Sequence, residues 1–189
     1  KNLLFSIILY PTSIKAWDQF YILKVIALGV YDAISAFTKD VKIKWPNDIY
    51  VKDDKIAGIL IENSVMGNSL KNSIAGIGIN VNQEVFFSDA PNPVSLRMVT
   101  GTNCDLDLLL KNVCESIEIR YNALNNGYRN ALTRDYKNAL YRYCRWHDFT
   151  DAEGKFTGMI EDVTESGLLV IRKKDGIIKE YAFKEVQYN

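Results

Sequence analysis

Lys44, Asn47, Asp48 and Lys55 stand close together in KWPNDIYVKDDKIAGILIE, residues 44–62, a stretch that otherwise reads as two apolar strands around a tight turn. The turn needs only Lys52, Asp53 and Asp54. A charged or amide side chain on a core strand is costly unless something pairs with it. These four groups therefore either satisfy one another or face a polar ligand. A lysine ammonium suits carboxylate or phosphate as a point charge, and the small residues Ala57 and Gly58 follow Lys55 closely. Asp48 can equally pair with Lys44, and Lys44 can run its stem along the strand toward water.

A second stretch, SIAGIGINVN (73–82), carries its information in its alternation. Side chains on a strand point to opposite faces in turn. Ile77, Ile79 and Val81 therefore share one apolar face, while Gly76, Gly78 and Asn80 share the other. Glycines inside a strand cost stability and let something lie close against the backbone. That something is either a tightly packed helix or a ligand. Asn80 offers a donor and an acceptor together, which favours a planar, hydrogen-bonding ligand.

The elements around these stretches are readable. Residues 2–10, NLLFSIILY, form a strand stopped by Pro11, and Thr12 or Ser13 would cap a helix running to about Phe37. A short strand at 42–45 precedes the hairpin, and 70–82 form another long strand. Residues 86–102 read as loop, punctuated by Pro91, Pro93 and Gly101. Asp105 opens an amphipathic helix with Leu106, Leu109, Leu110, Val113, Ile117, Tyr121 and Leu124 on one face. A further helix covers roughly 128–141. From Trp146 short strands alternate with turns at Glu153-Gly154, Ser166-Gly167 and Asp175-Gly176, the pattern of a small antiparallel barrel. The domain boundary falls near Tyr141.

The bulk composition narrows the function classes. Lys and Arg number 23 against 23 Asp and Glu, so no basic excess is available to hold a nucleic-acid backbone. Cys104, Cys114 and Cys144 form no CxxC pair and read as reduced thiols of a cytoplasmic protein. The most apolar stretch is interrupted by Lys24 and Asp32, which predicts a buried helix rather than a membrane span. His147 is the only histidine; with no second His or Cys beside it, a packing or surface role is expected and no metal site. The chain opens at Lys1, inside a strand and without an initiator Met, as a piece of a longer protein would.

In order and spacing, KWPND, KIAGILIE and GIGINVN resemble the signature run of bacterial biotin protein ligases, the biotin–[acetyl-CoA-carboxylase] ligases. The resemblance extends upstream through NLLFSIILYP and downstream to the C-terminal strands. It implies an α+β fold: a catalytic domain, residues 1–141, related to class II aminoacyl-tRNA synthetases, with a mixed sheet and helices on one side. A small SH3-like β-barrel, residues 142–189, follows. The implied reaction joins biotin and Mg-ATP to biotinyl-adenylate, then passes biotin to a lysine of the carboxyl-carrier domain of a biotin-dependent carboxylase.

By the same resemblance Lys55 is the catalytic lysine touching biotin and the adenylate phosphate. Asn47 and Asn80 hold adenine, and the backbone at Gly58 and Gly76 approaches biotin. Asp48 is assigned to Mg2+ or to support of the ligands, and Lys44 and Trp45 to structure; no protein-bound metal site is expected. The family's glycine- and arginine-rich loop, which closes over the ligands, lies upstream of the strand equivalent to NLLFS. No nucleic-acid or membrane partner is expected of this segment, and a homodimer is compatible with it. Lipoate–protein ligases share the catalytic fold but lack the KWPND pairing. A non-enzymatic interaction module on the same platform is the remaining alternative.

Overall fold

The computed structural model describes residues 1–87 and 92–189; Pro91, one of the expected loop punctuation marks, lies outside them. Strand β1 (Leu3–Leu9) leads through a single 3-10 turn at Ala16–Asp18 into helix α1 (Phe20–Ser35). Strands β2 (Val41–Lys44), β3 (Asp48–Val51), β4 (Asp54–Met66) and β5 (Ser69–Ile79) follow as a meander. Together they make a five-stranded sheet in the order β1-β5-β4-β3-β2. Every ladder in it is antiparallel, so the mixed sheet expected from the family resemblance does not form. The reason is the connections: β2 to β5 are joined by tight turns, which can link only antiparallel neighbours.

Helix α1 starts later than Thr12 or Ser13 would have it. Its N-cap is Gln19, with no side-chain capping bond, because the chain first makes the 3-10 turn at Ala16–Asp18. The expected loop at 86–102 contains a short helix α2 (Leu96–Thr100), capped by the Ser95 hydroxyl and closed by left-handed Gly101. Helix α3 (Leu106–Asn125) is capped by the Asp105 carboxylate and buries Leu109, Val113, Ile117 and Leu124. Helix α4 (Arg129–Ala139) completes the layer.

These helices cover one face of the sheet. Ile77, Ile79 and Val81 are at most 1% exposed beneath them. Helix α3 approaches α1 so closely that a Cβ on Gly29 would sit 2.7 Å from the Ile117 Cα. The two charges inside α1 are answered by neighbouring helices. Lys24 Nζ donates to Thr133 Oγ1 at 3.0 Å, and Arg120 bridges Asp32 and Asp135 at 2.7 Å each. Burial, followed by the nearby Lys137, lowers the Lys24 pKa to about 8.

The second sheet contains β6 (Trp146–Asp151), β7 (Gly154–Val163), β8 (Leu169–Lys173), β9 (Ile178–Tyr181) and β10 (Gln187–Tyr188). Its order is β10-β6-β7-β8-β9, antiparallel throughout. It meets the first region through Trp45, whose indole N–H donates to the Gly167 carbonyl at 3.0 Å. The Tyr136 hydroxyl donates to the Pro46 carbonyl at 3.0 Å. All three cysteines are free thiols, and among the described residues no helix is long and apolar enough to cross a membrane.

Candidate active site

The uncovered face of the first sheet carries one row of directly opposed residues across all five strands: Lys44, Asp48, Gly58, Gly78 and Leu4. Opposed residues on an antiparallel ladder share a face, so the row places an ammonium and a carboxylate beside two bare backbone positions. The neighbouring row runs Leu60, Gly76, Ser6. The alternation read from SIAGIGINVN is thus realised in the structure.

Among the described residues nothing demands glycine at these positions. A Cβ on Gly78 would meet only the Leu4 Cδ1 at 3.6 Å, and one on Gly76 would find its nearest neighbour at 3.9 Å. Among the described residues no helix covers them, which removes the packing explanation. The apolar side chains beside them are open to solvent: Leu4 is 88% exposed and Leu60 63%.

Lys55 reaches this face by a backbone irregularity. Strict alternation from Ala57, which is buried, would turn Lys55 toward the helices. Between β3 and β4, however, Ile49 pairs with Ala57 and the next residue, Tyr50, pairs with Lys55. Ile56 is the extra residue of a β-bulge, a device that re-aims a side chain. The lysine consequently lies over Gly58, where a Cβ would stand 3.4 Å from its Cε and 3.5 Å from its Nζ. Its Nζ meets Asp48 Oδ1 at 2.6 Å, and both side chains are about a quarter to a third exposed, at 25% and 30%. The pair leaves two of the three ammonium donors available.

Two cavities flank the pair. The first, about 330 Å³, is lined by Lys55, Gly58, Gly78, Asn80, Leu4 and Phe86. Among the described residues nothing bonds the Asn80 carboxamide, while its backbone carbonyl accepts from Leu96 at 3.1 Å and so anchors the strand end to α2. The second, about 440 Å³, opens between the sheet and the C-terminal strands and is lined by Lys44, Asn47, Asp48, Lys55, Lys184 and Tyr188. Asn47 donates its amide N–H to the Ile59 carbonyl at 2.6 Å, which leaves its Oδ1 as an acceptor.

The expected residues are therefore only partly gathered. Lys55, Gly58 and Asn80 line one cavity, Asn47 lies in the other beyond the Lys55–Asp48 pair, and Gly76 lines neither cavity. Lys44, read from sequence as structural, lines the second cavity. It donates to the Tyr50 hydroxyl at 2.9 Å and lies over the Tyr50 and Tyr188 rings. Burial lowers its pKa although Asp48 pulls the other way.

Sequence reasoning missed Phe86, Tyr188 and Lys184. Phe86 sat in a stretch read only as loop. The Tyr188 hydroxyl is buried without a hydrogen-bond partner among the described residues and sits at the wall of the second cavity. Lys184 has left-handed backbone, φ 70°, an unusual conformation for a lysine.

Comparison with known proteins places this geometry. The model of the biotin/lipoate A/B protein ligase family matches residues 1–80, which hold the whole cross-strand row. The bifunctional ligase/repressor BirA of Bacillus subtilis is 28% identical over 186 residues, 94% of this chain and 55% of that protein. The biotin--[acetyl-CoA-carboxylase] ligase of Paracoccus denitrificans is 31% identical over 162 residues, 80% of this chain and 66% of that protein. The chain belongs to the biotin/lipoate A/B protein ligase family. A solved biotin protein ligase from Aquifex aeolicus, in complex with biotin and ATP, superposes with a TM-score of 0.78 at 26% identity. That alignment covers 100% of this chain and 79% of the other. The chain spans about half the length of the first curated relatives, 55% and 44%.

Proposed function

We propose that the protein carrying this chain is a biotin–protein ligase that forms biotinyl-adenylate from biotin and ATP and passes biotin to a protein lysine. The observation that carries the reading is the row of glycines the fold does not need, with the Lys55 ammonium re-aimed over it. A bare, partly apolar face suits a thin bicyclic acid with an aliphatic chain. In the first step a biotin carboxylate oxygen attacks the α-phosphorus of ATP and pyrophosphate leaves. Both reactants are anions, and a fixed ammonium between them offsets their repulsion and the charge developing on the phosphoryl oxygens. Asp48 holds that ammonium in place. In the second step a neutral acceptor amine attacks the acyl carbon, the acyl–phosphate bond breaks and AMP departs.

The Asn80 carboxamide and the free Asn47 Oδ1 are assigned to the nucleotide, from the two sides of the Lys55–Asp48 pair. Mg2+ enters with ATP. Asp48 could hold it through its second oxygen, since one carboxylate plus substrate phosphates is a usual arrangement. No group of three His, Cys, Asp or Glu converges among the described residues.

The finer assignments belong to the same proposal. The first region, to about Tyr141, is taken as the catalytic domain akin to class II aminoacyl-tRNA synthetases. Residues 142–189 are taken as an SH3-like barrel that supports the nucleotide side and docks the carrier domain of a carboxylase. Cytoplasmic location and pairing of two copies complete the picture. The test is exchange of labelled pyrophosphate into ATP by the intact protein. Exchange is expected with biotin and not with lipoate or octanoate. Exchange supported by lipoate alone would move the chain to the lipoate branch, and none with any acid would leave an interaction module.

A further inference from the structure

A third cavity, about 630 Å³, lies behind the hairpin, where the β3–β4 turn and the α1–β2 loop meet the segment leading into β6. Its lining includes five cations, Lys39, Lys42, Lys52, Arg142 and Arg145. None of the five forms an ion pair with a side-chain carboxylate among the described residues. Lys42 donates to the Asn138 carbonyl at 3.3 Å and Arg142 to the main-chain oxygen of Asn189, the last residue of the sequence, at 2.7 Å. The lining carboxylates are Asp40 and Asp53, and Asp53 accepts the Tyr141 hydroxyl at 2.6 Å. Five positive and two negative side chains in the lining leave a local side-chain excess of three, while the sequence as a whole has a formal net charge of zero.

A tyrosine wall separates this cavity from the candidate active site. Tyr141, on the basic side, packs 5.5 Å from Tyr50 and 6.2 Å from Tyr188, ring centre to ring centre. Tyr188 faces the second cavity of the site, and the Tyr50 hydroxyl holds Lys44 there. The basic cavity is thus distinct from the lysines assigned to biotin and ATP.

We propose that this cavity is a binding site for an oligophosphate, inorganic or carried on a nucleoside. An excess of three positive charges exceeds what one carboxylate would neutralise and matches a short phosphate chain. Lysine and arginine are the side chains such oxygens use. The volume falls within the ordinary range of small-molecule sites.

His147 also lines the cavity and reports on it. Burial first, then Arg142 and Arg145, lowers its pKa, while Asp148 and Asp53 oppose them. An anion seated among the cations would raise it. Because the chain has one histidine, its imidazole resonance is unambiguous in an NMR titration of the 189-residue chain with inorganic tripolyphosphate at constant ionic strength.

A saturable shift is expected, with a dissociation constant below about 1 mM and a rise in the His147 pKa. Arg145→Ser, at an exposed position with no bonded partner among the described residues, should weaken binding by about tenfold. Lys52→Gly should weaken it too. Lys52 has left-handed backbone, φ 55°, which glycine adopts freely, so this variant should fold at least as well. Tighter binding of ATP than tripolyphosphate, retained in Lys55→Ala, would assign the nucleoside form; the reverse order would assign the inorganic one. Equal, unsaturable shifts with tripolyphosphate, sulfate and chloride would reduce the effect to screening and overturn the proposal. So would wild-type affinity in the folded Lys52→Gly/Arg145→Ser double variant.

Discussion

Lys55 meets Asp48 on the open face of the first sheet, whereas Lys173 and Lys179 meet Asp151 in the second. The chemistry is the same, but the surroundings differ. Asp151 has a side chain only 2% exposed and accepts from the Tyr181 hydroxyl at 2.8 Å, the Glu153 backbone N–H at 2.9 Å and the Lys173 ammonium at 3.2 Å. Both carboxylate oxygens are engaged, and the two lysines roof the carboxylate. Lys55 and Asp48 hold each other and little else, with cavities on both sides. A closed cluster is a structural device. An open pair beside bare backbone is a device for a ligand.

The glycines repeat the contrast. Gly167, φ 95°, is pressed against Phe20, and Gly158 against Ile171, so packing or backbone explains both. Gly76 and Gly78 have neither constraint. One set serves the fold; the other leaves a surface bare.

The largest expected effect on stability is at the closed cluster. Asp151→Ala should cost about 3 kcal/mol of stability, the lower end for breaking a buried pair, because the carboxylate is roofed by lysines rather than sunk in the core. Denaturant unfolding measures it. Burial pushes the Asp151 pKa up, but Tyr181, Glu153 and Lys173 outweigh it and hold the carboxyl well below the usual carboxylate range. The folded value is therefore depressed. The stabilisation is complete above the unfolded value, about 3.9, and fades as pH falls below it toward the folded value. Wild type should lose stability through that acid window, and Asp151→Ala should lose less. An equal acid slope in both would assign the sensitivity to other carboxylates.

The next effect is on the open face. Gly78→Val should leave the melting temperature nearly unchanged, since Leu4 is exposed and can move, yet weaken biotin binding by roughly 1–3 kcal/mol through overpacking. Calorimetry of biotin binding beside a thermal melt separates the two. A large loss of stability with biotin affinity intact would mean that the glycine serves the fold after all. Smallest is Asn80→Ala, expected to cost ATP binding about 0.5–1.5 kcal/mol with biotin binding kept; equal losses for both ligands would point to a disordered strand end.

Much of this contrast was legible in the sequence. Alternation in SIAGIGINVN separated the bare face from the buried one, and Asp105 with its apolar stripe marked α3. The direction of Lys55 was not legible, because the bulge at Ile56 depends on how β3 and β4 register, and alternation alone turns that lysine toward the helices. Nor was the separation of Asn47 from Asn80, since both precede or end strands on the same sheet and only the Lys55–Asp48 pair divides them. Lys184 and Tyr188 lie too far along the chain for spacing to bring them to Lys44. The short helix at Leu96–Thr100 did leave a signal, Ser95 as cap and Gly101 as stop, in a stretch where proline and glycine had suggested loop.

The central claim is that the open pair acts on a ligand while the fold does not depend on it. Biotin-dependent exchange of labelled pyrophosphate into ATP, measured for the intact protein and for Lys55→Ala with thermal melts of both, tests it most directly. The account predicts exchange slower by ~10²–10³, the usual cost of removing one charge-stabilising group. It also predicts a nearly unchanged melt, because a partly exposed ion pair contributes about 0–1 kcal/mol. Undiminished exchange in a folded Lys55→Ala variant would contradict it.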